Sequence, residues 1–187
     1  DELVGIAEVA ERHDLWIVAD EVYGELVYEG AEHVSVASLG TEAAGRTVIA
    51  TSLSKSFAMT GWRLGVVWGP PAVAEAMGKL QANACSHVPT FLMEAGLAAL
   101  EPEIGDEVAR FNEAYIARRA MLMAGIEAIP GLEMAEPEGA FYGFVDITGT
   151  GMDSRTFATR ALDEARVQLI PGGILPEGEG FIRISYA

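Results

Sequence analysis

Two patterns of hydrophobic and polar positions alternate along the chain, and each is typical of one kind of secondary structure. Over residues 2–13, apolar side chains recur at every third or fourth position, which predicts an amphipathic helix. Short apolar runs bounded by polar residues predict buried strands, and the first 70 residues contain three of them, at 15–19, 47–51 and 64–68. Asp20 directly follows the first run, so we expect it at the end of a strand.

The later part of the chain changes from helices to short strands. Helical spacing predicts three helices, over 72–82, 91–101 and 103–129. A further helix is predicted from Ser154 to Arg166. Short apolar segments predict four strands around it: 132–135, 140–147, 167–170 and 181–186.

This change of pattern predicts two domains. Residues 1–110 are predicted to belong to a larger α/β domain with buried, parallel strands, and residues 111–187 to a smaller α+β domain. The long helical segment around residues 106–128 would join the two.

The balance of charges and the composition narrow the possible functions. The net charge of −16 disfavours a nucleic-acid partner, because binding to a phosphate backbone needs a basic surface. Half of the residues are hydrophobic, as in globular proteins, and no apolar run approaches about 20 residues, so no membrane span is predicted. With His13, His33 and His87 far apart in sequence, no metal site is predicted.

Cysteine and lysine usage bears on location and source. Cys85 is the only cysteine, so no disulfide can form within the chain, which fits a reducing cytoplasm. Alanine and arginine are abundant whereas lysine is scarce, which indicates a bacterial source of high GC content.

Lys55 is the first candidate for chemistry. The chain has only two lysines, Lys55 and Lys79. Lys55 stands between hydroxyl residues just after the apolar run 47–51, where a strand passes into a loop, and α/β folds place their functional residues at such ends. A lysine at this place in an acidic chain suggests a Schiff-base amine rather than a solubilising charge.

Three further residues are candidates, each with a structural alternative. Asp20 ends a predicted strand, where an aspartate is also a common turn cap. Arg63 follows Lys55 by eight residues. Arg183 stands between two isoleucines in a predicted strand, so it is expected to be half-buried and paired with an anion, which could be a structural ion pair.

Several segments together resemble a known family. They are Asp20-Glu-Val-Tyr23, Ser52-Leu-Ser-Lys55, Gly61-Trp-Arg63-Leu-Gly65, Glu138-Gly-Ala-Phe-Tyr142, Pro171-Gly172 and Arg183-Ile-Ser185. In this order and with these spacings they resemble the class I and II aminotransferases, which are pyridoxal-phosphate enzymes of fold type I. The resemblance extends over nearly the whole chain. It implies an α/β fold, with residues 1–110 as the C-terminal half of the large cofactor-binding domain, a mixed and mostly parallel sheet with helices, before the small α+β domain.

The resemblance also implies roles for the residues that bind the cofactor. Lys55 would form the internal aldimine with pyridoxal 5′-phosphate and then move a proton between substrate and cofactor. Asp20 would keep the pyridine nitrogen protonated, and Tyr23 would donate a hydrogen bond to the phenolate oxygen. Ser52 and Arg63 would bind the phosphate, with Ser54 as a further contributor.

The implied substrates are an L-amino acid and a 2-oxo acid. Arg183 would bind the α-carboxylate of the substrate through paired hydrogen bonds. No arginine lies between Lys79 and Leu100, a segment that supplies a side-chain carboxylate clamp in some aspartate enzymes, and this disfavours one mode of dicarboxylate binding. The family is usually a homodimer, and the apolar stretch around residues 81–101 could provide that contact.

Other readings of the same residues stay open. The scaffold also supports C–S β-lyases and oxidative or cyclising enzymes that act on amino acids. Some bacterial transcription regulators carry an aminotransferase-like effector domain in which the cofactor site senses a ligand. In the family, roughly two hundred residues precede this stretch and supply a phosphate loop and an aromatic side chain that stacks on the cofactor. We therefore expect the stretch to bind the cofactor poorly by itself.

Overall fold

A computed structural model describes residues 2–187. The chain divides into two compact units. The first unit contains the residues up to Val27 together with Glu32–Val108, and the second contains Tyr28–Ala31 together with Ala109–Ala187. Within the described part of the chain, no helix is both long and apolar enough to cross a membrane.

The first unit combines a small sheet with helices. Its helices are α1 (Glu2–Arg12), α2 (Thr41–Gly45), α3 (Leu53–Ser56), α4 (Pro71–Ala84) and α5 (Thr90–Ala99), with short 3₁₀ helices at Val36–Leu39, Thr60–Trp62 and Pro102–Ile104. Its strands are β1 (Ile17–Asp20), β2 (Thr47–Ser52) and β3 (Gly65–Trp68). A long helix, α6 (Gly105–Glu127), begins in this unit and continues into the second. The predicted helices and strands of this part are confirmed, with bounds that differ by a few residues.

The three strands form a mixed sheet in the order β1-β2-β3. β1 runs parallel to β2, with Asp20 opposite Ala50. β3 runs antiparallel to β2, with Gly65 opposite Ser52. The α/β class that the sequence predicts is therefore confirmed. The expectation of parallel strands holds for β1 and β2 and is wrong for β3.

The predicted burial of these strands is wrong. No residue of β1 or β3 is buried, and the side chain of Val18 is 74% exposed. Trp68 at the end of β3 is 56% exposed. The apolar composition of the runs predicts strands that are covered on both faces. Here Ile17 and Ala19 on one face of β1 are half-buried, whereas Val18 and Asp20 on the other face are exposed, so the described chain covers one face in part and leaves the other at the surface.

The second unit is an antiparallel sheet with helices. It contains β4 (Glu133–Met134), β5 (Tyr142–Asp146), α7 (Ser154–Ala165), β6 (Ile170–Pro171) and β7 (Phe181–Ser185), and the strand order is β4-β5-β7-β6. Its core consists of Ile126 from α6, Val145 and Ile147 from β5 and its end, and Ile182 from β7. All four side chains are at most 7% exposed. The predicted α+β character of this part is therefore confirmed.

The strand predicted over 167–170 is largely wrong, because α7 ends at Ala165 and its C-terminal cap takes up Arg166 and Val167. Arg166 adopts a left-handed backbone conformation, and the amide of Val167 donates back to the carbonyl of Ala161 at 3.1 Å. This is the hydrogen-bond pattern of a helix C-terminus. Pairing with β7 therefore begins only at Ile170.

Candidate active site

The strand ends bring several predicted site residues to one edge of the first unit's sheet. Because β1 and β2 are parallel, Asp20 and Ser52 end their strands at the same edge. β3 is antiparallel and begins at this edge with Gly65, two residues after Arg63. Neighbouring strands are about 4.8 Å apart, so these residues lie along a short row.

A one-turn helix positions Lys55 at this edge. α3 begins immediately after β2, and its N-cap is Ser52, whose hydroxyl oxygen accepts a hydrogen bond from the backbone amide of Ser54 at 3.3 Å. The sequence predicts a loop here and misses this helix, because four residues are too few to show a helical period. The helix fixes the direction in which the half-buried Lys55 leaves the backbone.

Tyr23 lies close to the amine of Lys55. The Nζ atom of Lys55 is 6.0 Å from the centroid of the Tyr23 ring, at the outer limit of a cation–π contact. Tyr23 stands in the turn that follows β1, three residues after Asp20. The structure therefore brings together the lysine and the tyrosine that the sequence places 32 residues apart.

Asp20 also has the capping role that the sequence allows. Its Oδ1 atom accepts a hydrogen bond from the amide of Val22 at 3.2 Å, which stabilises the turn carrying Tyr23. The residue is exposed, so its carboxylate remains accessible at the sheet edge.

Arg63 follows a short 3₁₀ helix in a left-handed conformation, with φ 53° and ψ 39°. Its guanidinium donates a hydrogen bond to the carbonyl of Thr60 at 3.0 Å, and the residue is exposed. This is the conformation of a residue that ends a helix, and Arg166 at the end of α7 has it as well.

Arg183 lies in the second unit, on β7 opposite Phe144 and Ile170. It is half-buried, as predicted, but the contact that the structure gives it is aromatic and not an ion pair. The guanidinium carbon lies 4.6 Å from the centroid of the Tyr142 ring. Both hydrogen-bonding edges of a guanidinium stay usable when it stacks on a ring, so the arginine can still bind a carboxylate.

The set of donors at the sheet edge fits pyridoxal phosphate. An amine can bond to its aldehyde, a carboxylate can pair with its ring nitrogen, and a phenol can donate to its ring oxygen. A hydroxyl and a guanidinium suit its phosphate. Lys55, Asp20, Tyr23, Ser52 and Arg63 supply these groups from a single edge of one sheet.

Sequence analysis missed a cluster next to this edge. The carboxylate of Glu21 accepts a hydrogen bond from the Ser35 hydroxyl at 2.7 Å and lies 3.3 Å from Nε2 of His33. Glu21 and Ser35 are 14 residues apart, a spacing that follows no helical or strand period. The polar segment after β1 predicted only a turn.

Comparison with known proteins identifies the family. The family model described as aminotransferase class I and II matches residues 1–187. The chain belongs to this family. Class I and II aminotransferases depend on pyridoxal phosphate, which agrees with the donors at the sheet edge.

Two curated class I and II aminotransferases illustrate the similarity. The chain is 41% identical over 184 residues to an aspartate aminotransferase of Pyrococcus horikoshii, covering 97% of this chain and 46% of that protein. It is 41% identical over 180 residues to an arginine–pyruvate transaminase of Pseudomonas aeruginosa, covering 96% and 45%. These relatives come from an archaeon and a bacterium, so the bacterial source stays a prediction.

A solved aminotransferase shows the same fold. The crystal structure of an aromatic aminotransferase from Pyrococcus horikoshii matches 98% of this chain with a TM-score of 0.93 and 38% identity. The match covers 49% of that protein. The chain thus spans about half the length of the aminotransferases to which it is similar.

Proposed function

We propose that this chain forms the lysine-bearing half of a pyridoxal-phosphate-dependent aminotransferase, which moves an amino group between an L-amino acid and a 2-oxo acid. The observation that carries the proposal is the placement of Lys55 beside Tyr23, at the sheet edge that also carries Asp20 and Ser52. Family membership over the whole chain supports the same reaction class. The roles of the individual residues are part of the proposal.

Pyridoxal phosphate, when bound, supplies an electron sink that makes the substrate Cα–H acidic. Lys55 is proposed to bond to the cofactor in the resting protein. Once displaced by the substrate amine, its Nζ would act first as the base and then as the acid that moves the proton of the substrate Cα. The one-turn helix α3 holds this amine at the strand end.

The other residues of the edge orient and charge the site. Asp20 would pair with the ring nitrogen and keep it protonated, which would strengthen electron withdrawal. Tyr23 would donate a hydrogen bond from its hydroxyl to the ring oxygen. Ser52 and Arg63 bind the phosphate, and Ser54 contributes there as well.

Arg183 is proposed to bind the α-carboxylate of the substrate. Its support is chemical: a half-buried guanidinium on β7 is already held against an aromatic ring. Because the guanidinium is already held in place, less entropy is lost when it forms two hydrogen bonds to a carboxylate.

A homodimer and a cytoplasmic location complete the proposal. Several large apolar side chains on α4, on α5 and just after α5 are exposed, which supports a second subunit that covers them. They include Leu80, Phe91, Leu97 and Leu100. Sedimentation of the full-length protein at micromolar concentration tests the dimer. A single cysteine supports the reducing compartment.

The decisive experiment uses the full-length protein and the two lysines of this stretch. The protein loaded with pyridoxal phosphate is expected to show a visible absorbance band, and reduction with borohydride should fix the cofactor mass on Lys55. The variant Lys55→Ala should lose the band and reduce transamination roughly 10²–10⁴-fold, the usual contribution of a positioned acid–base group. The same measurement on the isolated 187 residues should show weak cofactor binding.

Lys79→Ala is the matched control. Lys79 is exposed and its amine lies 2.6 Å from Glu75 one helical turn away, so its loss should leave band and rate unchanged. Adding amino acids without an oxo acid then separates the reaction types. Conversion to the pyridoxamine form establishes transamination, whereas a band that shifts without converting indicates elimination, oxidation or ligand sensing. A cofactor adduct on Lys79 would overturn the assignment of Lys55.

A further inference from the structure

Glu21 lies between Asp20 and Tyr23, two of the residues proposed to contact the cofactor. It follows Asp20 and begins the turn that carries Tyr23. Its amide donates to the carbonyl of Ala50 at 2.9 Å, which extends the β1–β2 ladder by one residue. Its carbonyl accepts from the amide of Gly24 at 3.0 Å, which closes the turn. The main chain of Glu21 is therefore attached both to β2 and to the turn.

The side chain of Glu21 is attached to a separate segment. Its Oε1 accepts a hydrogen bond from the hydroxyl of Ser35 at 2.7 Å, and its Oε2 lies 3.3 Å from Nε2 of His33. The carboxylate side chain is only 16% exposed. Both oxygens are therefore used by residues two positions apart on the segment that precedes the 3₁₀ helix Val36–Leu39. We call Glu21, His33 and Ser35 the Glu21 clamp.

The imidazole of the clamp packs directly on the turn. A Cβ atom placed on Gly24 would lie 3.1 Å from Cδ2 of His33, tighter than nearly all real contacts of that kind. The ring of His33 therefore occupies the space that a side chain at position 24 would need. The segment 33–35 covers the turn as well as bonding to its first residue.

The hydroxyl of Ser35 bonds to Glu21 instead of capping the helix that follows it. Ser35 is the N-cap of the 3₁₀ helix Val36–Leu39, a position where serine side chains usually accept a hydrogen bond from the helix. No side-chain cap hydrogen bond forms here, and the hydroxyl instead donates to Glu21. The neighbouring Ser38 hydroxyl, in contrast, donates only to the carbonyl of Ser35, at 2.7 Å.

We propose that the Glu21 clamp positions Tyr23 against pyridoxal phosphate, so that its three members are positioning residues of the active site. The proposal rests on the proposed function, because it gives the clamp a purpose at the cofactor. The turn from Glu21 to Gly24 has only one internal hydrogen bond between main-chain groups, Gly24 to Glu21. Fixing both ends of Glu21 restricts the turn and thereby the distance from the Tyr23 hydroxyl to the cofactor oxygen.

The consequence can be read from the absorbance of the cofactor, without measuring turnover. A hydroxyl that donates to the anionic ring oxygen favours the less protonated form of the lysine-bound cofactor. A looser Tyr23 donates less well, so the proton affinity of the bound cofactor rises. In the full-length protein, Ser35→Ala and Glu21→Gln should raise that proton affinity roughly threefold to tenfold, the effect of weakening one hydrogen bond to a charged group.

Ser38→Ala is the matched control: it removes a hydroxyl that bonds to the main-chain carbonyl of Ser35 and not to Glu21, while the amide of Ser38 still donates to that carbonyl at 3.0 Å. It should leave the absorbance titration where it is in the unaltered protein. Ser35→Ala is the milder of the clamp variants and keeps the test usable if Glu21→Gln does not fold.

A double-mutant cycle with Tyr23→Phe tests whether the clamp acts through the tyrosine. Glu21→Gln should cause no further change in proton affinity once the Tyr23 hydroxyl has been removed. An equal change in both backgrounds overturns the positioning role. A lowered melting temperature with an unchanged titration midpoint overturns it as well, since the clamp is then only structural. Absence of the visible band in the unaltered protein instead overturns the proposed function itself.

Discussion

The two units of the chain differ in how much of their apolar surface they cover. In the second unit, Val145, Ile147 and Ile182 are at most 1% exposed, and the helices and strands of that unit enclose them. In the first unit, Val18 and Trp68 on the sheet are more than half exposed, and α4 buries none of its residues. The proposed chemistry nevertheless lies in the first unit. The difference teaches that the edge with the candidate site residues belongs to a sheet that the described residues cover only in part.

The relatives give this difference a simple interpretation. The chain covers 46% of a Pyrococcus aspartate aminotransferase and 49% of a solved aromatic aminotransferase. We expect the polypeptide that corresponds to the other half to cover the first unit's sheet. Stability measurements on the 187-residue stretch and on the full-length protein can then be compared site by site.

The largest stability effect is expected in the core of the second unit. Ile182→Ala should lower the free energy of unfolding by about 2–5 kcal/mol, because it removes a buried side chain from a closed core. Val18→Ala in β1 should change it by less than about 0.5 kcal/mol in the isolated stretch, where Val18 is exposed. Urea unfolding measures both. In the full-length protein the cost of Val18→Ala should rise, and an unchanged cost would show that nothing covers β1.

A glycine-to-alanine substitution in each unit compares how tightly the two units are packed. A Cβ at Gly172 would collide with the backbone oxygens of Gly178 and Phe181, which cannot move without disturbing the second unit. Gly172→Ala should therefore cost about 3 kcal/mol of unfolding free energy.

In the first unit, a Cβ at Gly96 of α5 would lie 2.5 Å from Cδ2 of Leu64, the end of a flexible side chain. Gly96→Ala should cost less than about 1 kcal/mol, because a half-exposed leucine can change rotamer. Thermal melts of the two alanine variants measure the difference. Equal losses would contradict the view that the first unit is the more loosely packed.

The aromatic contact of Arg183 predicts a smaller effect, on binding. Tyr142→Leu should weaken substrate binding by about 0.5–1 kcal/mol, the strength of an exposed cation–π contact, and should act mainly on KM. Tyr142→Phe keeps the ring and should restore most of the affinity. Steady-state kinetics of the full-length protein with both variants provide the measurement. A loss confined to kcat would indicate that the ring acts elsewhere than on the arginine.

The smallest expected effect depends on pH and again concerns the second unit. Hydrogen bonds from Ser154 and Gly180 hold the pKa of Glu179 below its usual range. A carboxylate with a lowered pKa in the folded state contributes stability above the pKa of the unfolded chain, and this stability is lost as the pH falls through the folded value. The unfolding free energy of the unaltered protein should therefore decrease more steeply below about pH 4.5 than that of Glu179→Gln. If the unfolding free energies of the two proteins decreased equally at acid pH, these hydrogen bonds would contribute nothing to stability.

Sequence patterns predicted the positions of the strands better than the burial of their side chains. The apolar runs located β1, β2 and β3 because a strand requires only local alternation or continuity of apolar residues. Their burial could not be predicted, because the same runs are exposed when no second layer covers them. The helix that carries Lys55 was missed because its four residues make only about one turn, which is too short to show a repeating pattern.

The candidate site shows the same limit. Lys55 and Asp20 were found because unusual polar residues follow apolar runs, and strand ends are places where parallel strands bring side chains together. Arg63 was found by its place eight residues after Lys55, in a segment that resembles the family. The Glu21 clamp and the ring that holds Arg183 were missed, because each joins positions that only the folded chain brings together. The domain boundary and the assigned residue roles stay predictions.

β1 is the outer strand of the first sheet: within the described residues it pairs with β2 on one side, and its other long side is unpaired. This unpaired side has a practical consequence. A strand with an open edge and an exposed valine is a template onto which another chain can add a strand. Preparations of the isolated stretch should therefore self-associate as concentration rises, whatever the state of the site. A charged residue introduced at Val18 is a direct way to keep such preparations in solution.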